Sequence, residues 1–94
     1  MKLEEHCSRS LATYGDEFRD VHMWLDEYFS TSGARHRRKR HHLKGIEEVR
    51  SVFGDHGAEV ARQHIIDDLK CEGWREGKDR IPVDETDYVR MGLF

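Results

Sequence analysis

Residues 35 to 42 read Arg-His-Arg-Arg-Lys-Arg-His-His, which packs five permanent cations and three of the chain's seven histidines into about two helical turns. Side chains of these types do two kinds of chemistry. Imidazoles transfer protons or bind metal ions near neutral pH, and guanidinium forks grip phosphate oxygens. Elsewhere, histidine recurs four residues before a carboxylate. His22 precedes Asp26, and His64 precedes Asp68, with Asp67 one residue nearer; on a helix, each pair faces one space. His42 lies in line with Ile46, Val49 and Phe53, its neighbour His41 stands one turn before Gly45, and His6 lies between Leu3 and Ser10. Four helices would each carry a histidine at the edge of a core. If those faces pack together, the imidazoles converge.

Three readings compete for this set. In the first, His41, His42, His22 and His64 move protons, Arg35, Arg37, Arg40 and His36 hold phosphoryl oxygens, and Asp26 and Asp68 orient the imidazoles. In the second, His22, His41, His42, His64, Asp26 and Asp68 supply nitrogen and oxygen ligands to a divalent ion, zinc or manganese. No HExxH-type spacing marks a metal site, so the residues serve either chemistry. In the third, each histidine is a core or boundary residue whose nitrogens bond to nearby carboxylates.

Hydrophobic periodicity gives the elements that must position these groups. Leu3, Cys7, Ser10, Leu11 and Tyr14 recur at helical intervals before Gly15, which predicts a first helix over 2–14. Asp16 offers an N-cap for a second, whose stripe of Phe18, Val21, Leu25, Tyr28 and Phe29 ends before Ser30. A third is predicted from about Ala34 to Phe53, stopped by Gly54, with Gly45 inside it at a cost of roughly 1 kcal/mol unless another element approaches closely there. Ala58, Ala61, Ile65 and Leu69 mark a fourth helix after a turn at Gly54 to Gly57. A loop over 72–80 leads to Ile81, Pro82 and a short last helix capped by Asp84. The expected fold is all-α, a compact bundle of four to five helices forming one domain over residues 1–94.

Charge and size narrow the function classes. Between Tyr28 and Ile46 there is no carboxylate, yet Arg35, Arg37, Arg38, Lys39, Arg40 and Lys44 all fall there, leaving ten Lys and Arg against nineteen Asp and Glu elsewhere. A net charge of −3 therefore conceals one basic face, which attracts phosphate-rich ligands. Arg35, Arg38, Lys39 and His42 lie near the continuation of the apolar stripe, so something anionic must meet them: carboxylates of another helix, a second subunit or phosphate. The acidic remainder argues against an extended nucleic-acid footprint. No apolar run approaches the roughly 20 residues of a membrane span. Cys7 and Cys71 lack CxxC spacing and no signal peptide precedes them, so reduced thiols in a cytosol are expected, bacterial or that of a phage host. A chain this small is often stabilised by assembly, which makes a homo-oligomer plausible.

The strings His22-x-Trp24-x-Asp26, Arg35-His36-Arg37, Arg40-His41-His42-x-x-Gly45-Ile46, Phe53-Gly54, His64-x-x-Asp67-x-Leu69 and Ile81-Pro82 resemble a family of small histidine-rich domains of unknown function found in bacteria and phages. His6, His22, His36, His41, His42 and His64 match that family's motif in order. The chain departs from it in its longer 70–80 stretch with Trp74, and in Tyr88 where tryptophan is usual. The resemblance implies that the histidines and arginines form one recurring set, and it carries over no reaction.

The function expected from these residues is recognition and hydrolysis of a phosphate-bearing small molecule, a nucleotide or cyclic nucleotide. The alternatives are a non-catalytic protein that sequesters nucleotides, including as a phage anti-defence protein, and a structural or adaptor domain whose basic face docks an acidic partner.

Overall fold

A computed structural model describes residues 1–93, with Ala34 described by its backbone alone. Helix α1, Leu3–Tyr14, ends at Gly15, whose left-handed backbone returns its N–H to the Leu11 carbonyl. Helix α2, Arg19–Leu25, is shorter than its apolar stripe predicts. Asp16 does not cap it; the carboxylate instead accepts the Phe18 N–H at 2.8 Å in a tight turn, and Phe18 takes a left-handed φ of 49°. After α2 the chain bends at Asp26, then forms a one-turn helix α3, Phe29–Ser32, and a 3-10 turn, Gly33–His36.

The expected continuous helix from Ala34 to Phe53 is broken. Its first part is the single turn α4, Arg37–Arg40, followed by His41 and His42 in non-helical conformations. His42 is extended, and its ring caps the long helix α5, Leu43–Cys71. The exposed N–H groups of that N-terminus find distant partners: Leu43 donates to the Pro82 carbonyl and Lys44 to that of Val83, both at 2.9 Å. Two helix ends and a loop are therefore joined where the periodicity suggested one uninterrupted helix.

Helix α5 breaks again at Gly54, where φ 85° and ψ −176° lie outside the helical region, so its two arms correspond to the third and fourth expected helices. Gly57, expected in the turn, is instead helical and buried. The last helix, α6, Glu85–Arg90, begins where Asp84 accepts the Asp87 N–H, as its capping position predicts. Among the described residues the fold is all-α with no strand, and no helix is long and apolar enough to cross a membrane.

The second arm of α5 gives Val60, Ala61, Ile65 and Leu69 to the core, and α2 packs against α5. Val21, Leu25, Val49, Val60, Ala61, Ile65, Leu69 and Tyr88 form a buried apolar core. Trp74, in the expected loop, closes one end of it and donates its indole N–H to the Arg80 carbonyl at 2.8 Å. Beside this apolar half lies a buried half made of histidines and carboxylates.

Candidate functional site: a buried histidine–aspartate centre

Six of the seven histidines are buried: His6, His22, His36, His41, His42 and His64. Asp68 is the hub. Helix α5 places His64 and Asp68 one turn apart on the face opposed to α1 and α2, and Asp68 is 1% exposed. One carboxylate oxygen, Oδ1, takes His6 Nε2 at 3.1 Å and Arg37 Nη2 at 3.5 Å. The other, Oδ2, faces His41 Nε2 at 2.9 Å and His64 Nε2 at 3.3 Å. Asp26 approaches from the end of α2, with Oδ1 at 3.3 Å from His64 Nε2, 3.7 Å from His41 Nε2 and 3.1 Å from His36 Nε2. The bend after α2 is what aims Asp26 inward.

The back of the centre is a hydrogen-bonded line. His64 Nδ1 meets His22 Nδ1 at 2.8 Å, and His22 Nε2 meets Ser10 Oγ at 2.7 Å. The rings of His6 and His64 stack at 3.6 Å. Among the described residues, two polar atoms inside this packing, His6 Nδ1 and His41 Nδ1, have no hydrogen-bond partner, and neither has His64 Nε2.

His42 is not brought to the centre. Its Nδ1 accepts the Gly45 N–H at 3.0 Å and its Nε2 donates to the Arg38 carbonyl at 3.1 Å, so both ring nitrogens are occupied in holding the start of α5. His42→Ala removes that cap and strands a buried donor; a loss of about 2 kcal/mol in urea-unfolding free energy is expected. A variant as stable as the wild type would show that the cap is not needed.

The predicted phosphate-binding residues are dispersed. Arg35 is exposed. Arg40 lies over the Trp24 ring at 3.5 Å and pairs with Glu27 at 3.4 Å. Arg38 and Lys39 meet Glu85 at 3.7 and 3.5 Å. The anion expected beside these cations is thus supplied largely by the chain's own carboxylates. Arg37 is different: held by Asp68 and, at 3.4 Å, by Glu72, it also lines a cleft of about 560 Å³. Asp26, His36, Lys2, Met23 and Phe29 line that cleft as well.

His6 was expected to converge with the other histidines but without a role of its own, and Ser10 and Glu72 were not among the expected site residues. His6 and Ser10 carried a readable signal, the spacing of four that puts both on one face of α1. Glu72 carried none, since its partners Arg37 and Tyr88 are far away in sequence.

Burial and the neighbouring charges set the protonation of the centre. Burial favours neutral Asp26 and Asp68, but the hydrogen bond from His36 to Asp26, those from His41 and His6 to Asp68, and the nearby His64 ring outweigh it and hold both well below the usual carboxylate range. Such carboxylates are weak bases, better suited to holding a cation or an N–H than to taking up a proton. Burial, assisted by His64, lowers His22 to about 3, and burial likewise lowers His41 to about 4. Burial opposes protonation of His64 as well, yet the facing carboxylates of Asp26 and Asp68 prevail and raise it.

A pH dependence follows. The unfolded chain takes protons on His22, His41 and His42 near their ordinary value of 6.5, whereas the folded chain refuses them until about 4 or below at His22 and His41. His64 acts with the opposite sign but alone. In chelating buffer the urea midpoint should therefore fall as pH drops from about 6.5 to about 4. A flat or rising midpoint over that window contradicts neutral burial of these rings.

No curated protein and no solved structure matches the chain. The model of one family, however, matches residues 1–76, a span that holds His6, Ser10, His22, Asp26, His36, Arg37, His41, His64 and Asp68, and stops before Pro82 and α6. The chain belongs to that family, described as a domain of unknown function (DUF6915).

Proposed function

We propose that the domain binds a phosphate-bearing small molecule, a nucleotide or cyclic nucleotide, in the Asp26–Arg37 cleft and hydrolyses its phosphoester bond. The observation that supports this most is a shared residue: Asp26 belongs to the buried centre and also lines the cleft. A volume of about 560 Å³ lies within the roughly 300–1,000 Å³ of small-molecule sites. Phe29, 61% exposed, offers a face on which a base can stack, while Lys2 and Arg37 are cations at the reach of a phosphate. Hydrolysis adds the oxygen of water to phosphorus and a proton to the departing oxygen. The centre's role is to activate that water at the Asp26 edge, and Arg37 stabilises the charge that develops on the phosphoryl oxygens.

The test is incubation of purified protein with linear and cyclic nucleotides, followed by chromatography. New products identify a hydrolase. Intact nucleotide that is retained and released on denaturation identifies a sequestering protein, and the absence of both products and retained nucleotide removes the phosphate reading. For the hydrolase, Arg37→Ala lowers kcat/KM by about 100-fold, whereas Arg35→Ala, on the exposed side of the basic stretch, leaves it unchanged. Equal losses in both variants would place the ligand on the basic face and not in the cleft. The free thiols Cys7 and Cys71 fit a reducing cytosol as the place of action.

A further inference from the structure

We propose that His41, His64, Asp26 and Asp68 form a binding site for one zinc-class divalent cation, with Nε2, Nε2, Oδ1 and Oδ2 as its ligand atoms. This stands without the nucleotide reading, because it rests on the donor geometry alone. A tetrahedral ion with bonds of about 2.0–2.2 Å needs ligand atoms roughly 3.3–3.6 Å apart. The four imidazole-to-carboxylate edges measure 3.3, 3.3, 3.7 and 2.9 Å. All four atoms lie within 4.8 Å of one another. They therefore surround a common point at close to the required spacing.

A second observation concerns His64 itself. It is 0% exposed, and its Nε2 points between the two carboxylates without completing a hydrogen bond to either. An imidazole nitrogen buried in that way has lost water and gained no donor or acceptor in return, a condition that a metal bond relieves. The two ionised carboxylates supply the negative charge that a divalent ion needs in a buried site, while the Met1 ammonium at 2.8 Å and Arg37 at 3.5 Å are held on the other oxygen of Asp68, Oδ1.

The remaining polar residues have the form of a supporting layer. Asp68 gives Oδ1 to His6 and Arg37, which leaves Oδ2 to face the cation. His64 gives Nδ1 to His22, and His22 is fixed in turn by Ser10, so the ring is oriented from behind. His36 does the same for Asp26. Both ring nitrogens of His22 are spent on His64 and Ser10, which favours one ion in the centre over a second one on His6, His22 and His64. Two nitrogen and two oxygen donors with no thiolate suit zinc, and cobalt as its spectroscopic substitute. Asp26 alone of the four reaches the cleft, so an exchangeable water would enter on its side.

The experiment uses tag-free full-length protein titrated with cobalt(II) in the absence of any nucleotide. The expected result is tetrahedral visible absorption saturating at about one equivalent and displaced by zinc. It is expected to vanish in His64→Ala and in Asp26→Asn, whose cleft-edge position makes folding the safer of the two, and to persist in His42→Ala. His22→Phe should weaken cobalt binding by about 10- to 100-fold, with folding verified by circular dichroism. Folded wild type that gives no such spectrum and no rise in melting temperature with cobalt or zinc overturns the site, as does a wild-type titration in folded Asp26→Asn. Since no substrate is present, failure here leaves the nucleotide assay to be judged separately, and the reverse holds.

Discussion

Asp68→Ala is expected to be among the most damaging single substitutions in this chain, with a loss of about 3–5 kcal/mol in unfolding free energy measured in chelating buffer. The reason is the number of groups that depend on one buried carboxylate. His6, His41, His64 and Arg37 all lie within 3.5 Å of it, and none of the three imidazoles has access to water as a substitute partner. Small domains have only about 5–15 kcal/mol in total, so the variant should sit near its unfolding limit at room temperature. The adjacent Asp67 is the internal comparison. It accepts from Gln63 at 2.9 Å and forms an ion pair with the half-exposed Arg9 at 2.8 Å, contacts at the edge of the protein, and Asp67→Ala should cost about 1 kcal/mol. Equal effects at the two positions would mean that Asp68 is not a hub.

Gly45→Ala is expected to destabilise by about 3 kcal/mol or more. In an ordinary helical position the change gains roughly 1 kcal/mol, so the predicted sign is reversed and diagnostic. Gly45 is buried in the first turn of α5, and a Cβ built there would overlap the backbone carbonyl of Arg40. No rotamer relieves that clash, because the obstructing atom is main chain. The 41–42 turn would have to move, and His41 would move with it, out of contact with Asp68. Urea unfolding monitored by circular dichroism reads the stability, and a Gly45→Ala protein more stable than wild type would refute the close approach.

The helices were legible because they bury apolar stripes. Leu3 to Tyr14 and the stripe after Gly54 can be read directly from spacings of three and four. What could not be read were the breaks, since they are decided by partners distant in sequence. The stretch from Ala34 to Phe53 has helical periodicity throughout, yet His42 leaves it to accept the Gly45 N–H, while Pro82 and Val83 provide carbonyls to the new helix end. That break decides which of two adjacent histidines serves the centre. His41 faces Asp68, and His42 holds backbone.

The carboxylate spacing was similarly half legible. His64 and Asp68 do meet within one helix, at 3.3 Å. His22 and Asp26 share the same spacing, but Asp26 lies past the last residue of α2 and turns to His36, His41 and His64 instead. A spacing of four brings two side chains together only where the helix continues, and α2 ends at Leu25. The basic stretch needed the fold for the opposite reason: its partners Glu27, Glu72 and Glu85 lie outside the carboxylate-free window that made it look unpaired.

The central claim is that four side chains from the end of α2, the turn before α5 and the second arm of α5 enclose one cation. The most direct measurement is an anomalous-difference map from crystals of tag-free protein grown with zinc, collected on both sides of its absorption edge. One strong peak about 2.0–2.2 Å from His41 Nε2, His64 Nε2, Asp26 Oδ1 and Asp68 Oδ2 is the predicted result. An ordered centre without a peak, or zinc confined to the surface residue His56, would contradict it.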